Sequence, residues 1–425
     1  MSLHRPALLL LLLSLIGCDL ERPPERILLI VVDTLRRESL ELYGGPNPTP
    51  HLAALAERGQ LFTHALASFH QTSASMASLF TGQTPSIESS ESPRTLNWNG
   101  STWCGLARFA REPRRAECVP ASLDTLAERL RRFDYWTVGI ASNDFLCEPS
   151  GYSAGFDDWV EVGRLPDVRA LRINYRGGVE RRTARIIPWS EVNRVALEAL
   201  SRRPNDHFIL YVHYMDVHDF GFRGVPYRKA TQIVDGAIGQ LLDSLDQQNL
   251  LDGTQIFVTA DHGESLGEPH PIESGGGHIG NPSYMQLLAV PLLVAPAIPR
   301  DVDKLVRTQD LANWIVSLAG KEPTASNPSD TMDDDELFVG ELNYLTLIRG
   351  RFKSSRHRRS GQFVLFDLEA DPAETRDVST DYPEVSALHR ARADEIARTL
   401  RSSPRDVGSL TESDRERLEI LGYLE

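Results

Sequence analysis

The sequence predicts an α/β protein: a large, mostly parallel sheet with helices on both faces, then a small C-terminal antiparallel sheet with one helix. Three observations carry this. Apolar, β-branched runs such as "RILLIVVD" alternate with helix-like stretches over the first 320 residues; such continuous runs mark strands buried on both faces. Asp33, Asn143, Asp216 and Asp261 stand directly after those runs, where open α/β sheets place their ligand crevice. Beyond residue 320 the apolar runs become short.

The elements follow in order. "MSLHRPALLLLLLSLIGC" joins a short basic start (His4, Arg5) to an apolar run from Ala7 to Ile16, about half of the ~20 residues that a spanning helix needs. Its end, "LIGC", resembles the lipobox of bacterial lipoproteins. That implies a signal peptide over residues 1–17, lipidation of Cys18, and a tether over residues 18–26. The expected place is the bacterial cell envelope, lipid-anchored and facing the periplasm or the exterior. Export would put Cys104, Cys118 and Cys147 in an oxidising compartment. Cys104 and Cys118 flank "GLARFAREPRRAE" and are the candidate disulfide, with Cys147 outside it.

"RILLIVVD" is the first strand, ending at Asp33, and "TPHLAALAERG" is a helix stopped by Gly59. "SLDTLAERLRRFDYWTVGIASN" repeats the plan, as a helix capped by Ser122 and a strand ending at Asn143. "SEVNRVALEALSRRPNDHFILYVHYMD" and "VDGAIGQLLDSLDQQNLLDGTQIFVTADHG" do so again. The acidic loop "TASNPSDTMDDD" divides a catalytic α/β domain, residues 27–320, from a C-terminal subdomain, residues 321–425. "LFVGEL", "YLTLIRG" and "QFVLFDL" are its strands, and a helix runs from Pro383 towards Arg401.

With 425 residues the chain is long enough for a large core, and its net charge of −14 argues against nucleic acid as a partner. The chemistry concentrates in "VTADHGESLGE". Its Asp261-His262 pair offers two metal ligands at a strand end, and Asp33 offers a third. A hydroxyl from "HQTSASMASLFTG" would complete a four-ligand site and be activated by the ion. "HYMDVHDFG" adds Asp216 and His218. Singly, Asp and His after strands often do no more than cap turns.

"ILLIVVDTLRRESLELYG", "TPHLAALAERGQLFTHA", "TSASMASLFTG", "VHYMDVHDF", "TADHGESLGE" and "LFDLEADPAETRDV" stand in the order seen in the sulfatase family of the alkaline phosphatase superfamily. The resemblance runs from Ile27 to Glu425, and "ESDRERLEILGYLE" looks like a tail of its bacterial members. Sulfatases place their nucleophile seven residues before the Leu of an "LxTG" element, within a Cys-x-Pro-Ser-Arg signature. Here that position is Thr72, and Ala74 and Met76 replace the Pro and Arg. Thr cannot become formylglycine, so none is expected. Superfamily members acting on phosphorus do use a metal-bound Thr.

The resemblance therefore implies a metal-dependent hydrolase, with phosphate esters or diesters preferred to sulfate esters. It assigns Asp33, Thr72, Asp261 and His262 to one divalent ion, His218 to the anionic group, Arg36 to charge neutralisation, and His278 to proton donation. His270 competes with His278; Asn143, Asp216 and His270 are the candidate substrate-binding residues. Thr34 stands where many relatives carry a second Asp, which favours a single ion, unless Asp216 and His218 build a second site differently. The Asp-His donor set suits zinc or manganese better than calcium. A small-molecule, glycan or lipid ester is the expected substrate, read by arginines in "WNGSTWCGLARFAREPRRAEC" and "RGGVERRTARIIPW". A phosphoethanolamine-type transferase and an inactive surface binding lipoprotein are the alternatives. The plain role for Thr72 is a helix N-cap.

Overall fold

The computed structural model describes residues 23–87, 95–98, 101–104, 119, 123–177, 180–272, 276–278, 282–320, 333, 335–341 and 343–399. Cys18 with the lipid anchor expected of it, Cys118 with the disulfide expected of it, Ser122 and the closing tail lie outside the described residues. Among those described, no helix is long and apolar enough to cross a membrane.

The chain opens with β1 (Arg26–Val32), α1 (Pro50–Ala56), the short strands β2 (Gln60–Leu61) and β3 (Ala65–Leu66), and α2 (Thr72–Thr81). Next come β4 (Ser86–Ile87), β5 (Thr95–Trp98), β6 (Ser101–Cys104), α3 (Leu126–Arg131), β7 (Trp136–Ala141) and β8 (Asp158–Glu161). The hairpin of β9 (Leu171–Gly177) and β10 (Glu180–Ile186) precedes α4 (Trp189–Ser201), β11 (Phe208–Tyr214), α5 (Tyr227–Gln247) and β12 (Thr254–Ala260). Then follow α6 (Met285–Leu288), β13 (Leu292–Ala295), β14 (Val306–Arg307) and α7 (Asp310–Gly320). The last part holds β15 (Glu336–Gly340), β16 (Tyr344–Arg349), β17 (Phe352–His357), β18 (Phe363–Asp367) and α8 (Pro383–Thr399).

The main sheet has the order β2-β13-β12-β1-β11-β7-β8. From β12 to β8 the strands are parallel, and β13 and β2 join antiparallel at one edge. The Ile, Leu and Val residues of β1 are buried between β11 and β12, as a strand covered on both faces requires. α1, α4 and α5 pack together, and α2, α3 and α7 form the opposing group. α3 is capped by Thr125, in place of the expected Ser122. The Thr125 hydroxyl accepts from the Glu128 N–H, and the Glu128 carboxylate accepts from the Thr125 N–H. That reciprocal pair satisfies two of the donors a helix start leaves open.

The second sheet, β18-β17-β16-β15-β4-β5-β6, is not wholly C-terminal. β4, β5 and β6 extend it, β4 joining β15 in parallel at Ser86 and Gly340. The stretches read as arginine-bearing loops thus contain structure: Ser101–Cys104 is a strand, and Leu171–Ile186 spans a hairpin. A smaller core of Phe338, Leu345, Leu347, Ala393 and Ile396 holds α8 against this sheet.

Buried polar links tie the sheet to the main body. Lys353 and Glu374 form a fully enclosed ion pair, and the Glu374 carboxylate accepts from the Met285 N–H at 2.6 Å. Glu341 accepts from the Ser283 N–H at 2.9 Å and from its hydroxyl, which also shares a hydrogen bond with His70 Nδ1 at 2.7 Å. Cys147 is a buried thiol in a hydrogen bond with the Ser150 hydroxyl at 3.1 Å.

Candidate metal and nucleophile site

β1 and β12 are parallel neighbours in register, with Val32 opposite Ala260. The residues after each strand therefore emerge side by side. Asp33, Asp261 and His262 are buried and each offers a ligand atom, all within 4.8 Å of one another. The turn after β1 is held from several sides. Thr34 has φ +59°, a left-handed conformation rare for a β-branched residue. Its N–H donates to Asp261 Oδ1 at 3.2 Å, its hydroxyl donates to the Asp33 carbonyl at 2.7 Å, and its own carbonyl accepts from the Tyr227 hydroxyl at 2.6 Å. Such strain persists where the surroundings over-determine it, and it is found at functional sites. Gly263 is required for a different reason: a Cβ there would lie 1.9 Å from the Gln286 carbonyl oxygen.

Thr72 is the first helical residue of α2, and Gln71 occupies the N-cap. Its hydroxyl therefore does not cap the helix. It donates to Asp33 Oδ2 at 3.3 Å and shares a hydrogen bond with His262 Nε2 at 3.2 Å. The helix is entirely buried and pinned around the site. The Ser75 hydroxyl donates to the Asp261 carbonyl at 2.5 Å, and the Tyr152 hydroxyl donates to the Ser73 carbonyl at 2.6 Å. Gly82, at φ 71°, closes its C-terminus.

Asn143, just past β7, donates to Asp33 Oδ2 at 2.9 Å. The His278 ring stands 4.6 Å from that of His262 and 5.7 Å from that of His218, centroid to centroid. His278 Nδ1 lies 3.2 Å from the Glu264 carboxylate, and His218 Nδ1 lies 3.2 Å from Asp219. The remaining candidates have other partners. Asp216 is paired with Arg223 at 2.7 Å and accepts from the Trp189 N–H at 3.3 Å. The Arg36 guanidinium lies between Glu38 and Glu268, at 2.6 Å from each. His270 stacks on Tyr284, with centroids 3.4 Å apart; between the two competing histidines, it is His278 that adjoins His262.

Burial and the neighbouring Asp261 carboxylate push the Asp33 pKa up to about 7. His218 moves the opposite way: burial opposes its charge, but the hydrogen bond to Asp219 and the Asp33 carboxylate raise it to about 10. Burial also tends to raise Glu264, yet its contact with His278 holds it below the usual carboxylate value. The cluster thus pairs buried anions with imidazoles, and its two central carboxylates repel each other.

Sequence reading passed over His213, Tyr227 and the role of Glu264. Glu264 stood in "TADHGESLGE", but nothing in the spacing coupled it to His278. His213 lies inside the apolar run of β11, where it reads as one more strand residue. It is fully enclosed, burial lowers its pKa to about 4, and neither ring nitrogen has a hydrogen-bond partner among the described residues.

The site fits a divalent ion on its own chemistry. Among the described residues, the buried oxygens Asp33 Oδ1 and Asp261 Oδ2 have no hydrogen-bond partner, which is costly unless a cation takes the charge. Two carboxylate oxygens, an imidazole and a hydroxyl form a donor set typical of borderline and hard divalent ions.

Comparison with known proteins decides the family: the Sulfatase family model matches residues 25–321. The chain belongs to the sulfatase family. This sulfatase-family chain is 25% identical over 282 residues to human N-acetylgalactosamine-6-sulfatase, covering 57% of the chain and 51% of the relative. It is 27% identical over 187 residues to the low-salt glycan biosynthesis sulfotransferase Agl7 of Haloferax volcanii, covering 42% and 45%. The chain spans about half the length of these curated relatives. Among solved structures, a 2-O GAG sulfatase matches with a TM-score of 0.64 at 18% identity, covering 91% of this chain and 95% of that one. A Vibrio parahaemolyticus protein of the alkaline phosphatase superfamily matches with a TM-score of 0.59 at 15% identity, covering 90% of each. At these identities the structural likeness speaks for the fold.

Proposed function

We propose that this chain is a metal-dependent ester hydrolase with Thr72 as its nucleophile, acting on phosphate esters or diesters in preference to sulfate esters. The observation that carries the reading is the Thr72 hydroxyl, 3.3 Å from Asp33 and 3.2 Å from His262 at the one point where strand ends and helix start converge. A divalent ion held by Asp33, Asp261, His262 and Thr72 would lower the hydroxyl pKa and neutralise the anionic ester. Zinc or manganese suits these donors better than calcium.

Thr72 Oγ1 attacks phosphorus, and the bond to the leaving oxygen breaks as that oxygen takes a proton from His278. Glu264, on His278 Nδ1, orients the ring for this. Water then attacks the phosphorus carried by Thr72 and gives a proton to His278, the Oγ1–phosphorus bond breaks, and Oγ1 takes a proton from solvent to restore the hydroxyl. His218, charged beside Asp219, contributes a cation to the substrate's anionic group. Asn143 holds Asp33 in place by its hydrogen bond.

The preference for phosphorus rests on two positions. Thr72 cannot be converted to formylglycine, and the place of the signature Arg is taken by Met76, whose side chain is wholly buried. Relatives named as sulfatases support the second reading, a sulfate ester on a glycan. A sulfotransferase among them supports group transfer as a third. The reading includes lipid anchoring through Cys18 at the cell envelope, which the "LIGC" sequence supports.

The test is hydrolysis of an aryl phosphate, an aryl phosphodiester and an aryl sulfate by the metal-stripped protein reloaded with zinc, manganese or calcium. Metal-dependent turnover of a phosphorus ester that Thr72→Ala abolishes, by roughly 10³-fold or more, is the expected result. Turnover of the sulfate alone, or activity that survives the substitution, refutes it.

A further inference from the structure

We propose that Tyr227 is a positioning residue of the metal centre: its hydroxyl holds the strained turn at Thr34 that aims both Asp33 and Asp261 at the ion. The inference rests on the metal-site reading of Asp33, Asp261 and His262 and extends it to a residue that supplies no ligand atom.

Asp33 and Thr34 are the middle of a turn in which the Leu35 N–H reaches the Val32 carbonyl at 3.4 Å. The third place of such a turn favours Gly or Asn when its φ is positive. Here it is Thr34, at φ +59°, and among the described non-glycine residues with positive φ it alone is β-branched. A side chain branched at Cβ resists that conformation, so the surroundings must impose it. The Tyr227 hydroxyl donates to the Thr34 carbonyl at 2.6 Å and accepts from the Arg36 N–H at 2.8 Å. One oxygen thereby bridges the chain on either side of Leu35 and fixes the backbone directly after Thr34. Tyr227 is itself fixed: it is the first residue of α5, is buried, and meets the Phe220 ring edge-on, with centroids 5.5 Å apart.

The turn serves both carboxylates. Asp33 directly precedes Thr34, and the Thr34 N–H donates to Asp261 Oδ1 at 3.2 Å, where the His262 N–H also donates at 2.8 Å. With Oδ1 so engaged, Oδ2 is the oxygen left for the ion, and it has no hydrogen-bond partner among the described residues. Were Thr34 to relax to negative φ, the peptide joining it to Asp33 would turn, drawing the N–H off Asp261 and moving Asp33.

The experiment uses the full chain, stripped of metal, and reads zinc binding by competition with a chromophoric chelator, with urea unfolding of the metal-free proteins alongside. Tyr227→Phe keeps the ring and loses only the hydroxyl. It should weaken zinc binding by roughly 10–100-fold, as removal of a group behind a ligand does. Glycine takes positive φ without steric cost, so in the Thr34→Gly background the same substitution should change zinc affinity less than about 3-fold. A merely structural tie would lower the urea midpoint alike in both backgrounds and leave the affinity of the folded protein as it was. Undiminished affinity in Tyr227→Phe, or the same loss in both backgrounds, overturns the proposal. Should Tyr227→Phe not fold alone, a folded Thr34→Gly/Tyr227→Phe that binds zinc as Thr34→Gly does supports it. A double variant that does not fold, or that binds more weakly, overturns it. All of these results leave the Asp33, Asp261 and His262 site standing; a wild type that binds neither zinc nor manganese overturns that reading too.

Discussion

Lys353→Met isolates the worth of the buried ion pair that joins the second sheet to the catalytic body. Lys353 and Glu374 are both 0% exposed, and among the described residues the Glu374 carboxylate also accepts from the Met285 N–H. Methionine keeps most of the aliphatic stem, so the apolar loss is small; the group removed is the nitrogen, which lies over the Tyr284 ring 5.6 Å from its centroid. What changes is that a carboxylate is left enclosed without its cation. Breaking a buried pair from one side costs about 3–5 kcal/mol. In Lys353→Met/Glu374→Gln no charge is stranded, and the amide oxygen still accepts from Met285. The double variant should therefore lie within about 1–2 kcal/mol of the wild type, since replacing both members of such a pair is often nearly neutral. Urea unfolding of the metal-saturated protein, followed by circular dichroism, gives all four corners of the cycle. A loss below about 1 kcal/mol for Lys353→Met would refute the reasoning, and so would single losses that simply add in the double variant.

Other outcomes follow from the same geometry. His278→Gln should slow hydrolysis of a poorly activated alkyl ester by about 10²–10⁴-fold and an activated aryl ester much less, measured as kcat for the two leaving groups; equal losses count against proton donation. Glu341 is buried, and burial raises its pKa from 4.5 to about 8 against the hydrogen bonds from Ser283. A raised carboxylate contributes stability that is complete below about pH 4.5 and is lost as the pH climbs through about 8. Its slope is at most about 1.4 kcal/mol per pH unit. Glu341→Gln should flatten urea midpoints across that window, and an unchanged slope would exclude Glu341 as its source. Chelation should lower the thermal midpoint, with metal at a hundredfold excess over its Kd returning about 2.7 kcal/mol; a midpoint indifferent to metal argues against the site.

The sheet and most of the site were legible because their signals are local. β1, β11 and β12 are mainly apolar runs, and Asp or His residues stand just past each, where open α/β sheets place their ligand crevice. Asp33, Asp261 and His262 were read in this way, and Thr72 from a fixed offset within a motif. What the sequence did not disclose depends on pairing across the chain. Glu264 gives no sign of its contact with His278, fourteen positions on, until the chain is folded. Asp216, at an equally suggestive strand end, is taken by Arg223, seven positions later and with nothing in the sequence to announce it. Arg36 is likewise held by Glu268, far along the chain. Composition places such groups near a crevice; only the fold says which of them already has a partner.

The excursion of β4, β5 and β6 into the second sheet also fixes an order of assembly. α2 ends at Thr81, and within five residues the chain has become β4, whose neighbour across the sheet is Gly340 of β15. During synthesis that neighbour does not exist until most of the protein has been made. The segment just after the nucleophile helix must wait with an unpaired edge, the kind of exposure that invites wrong pairings. Shortened forms ending near residue 320 would keep Asp33, Thr72, Asp261 and His262 and still leave that edge open. Completion of the second sheet, and with it of the segment that follows α2, is thus placed late by topology.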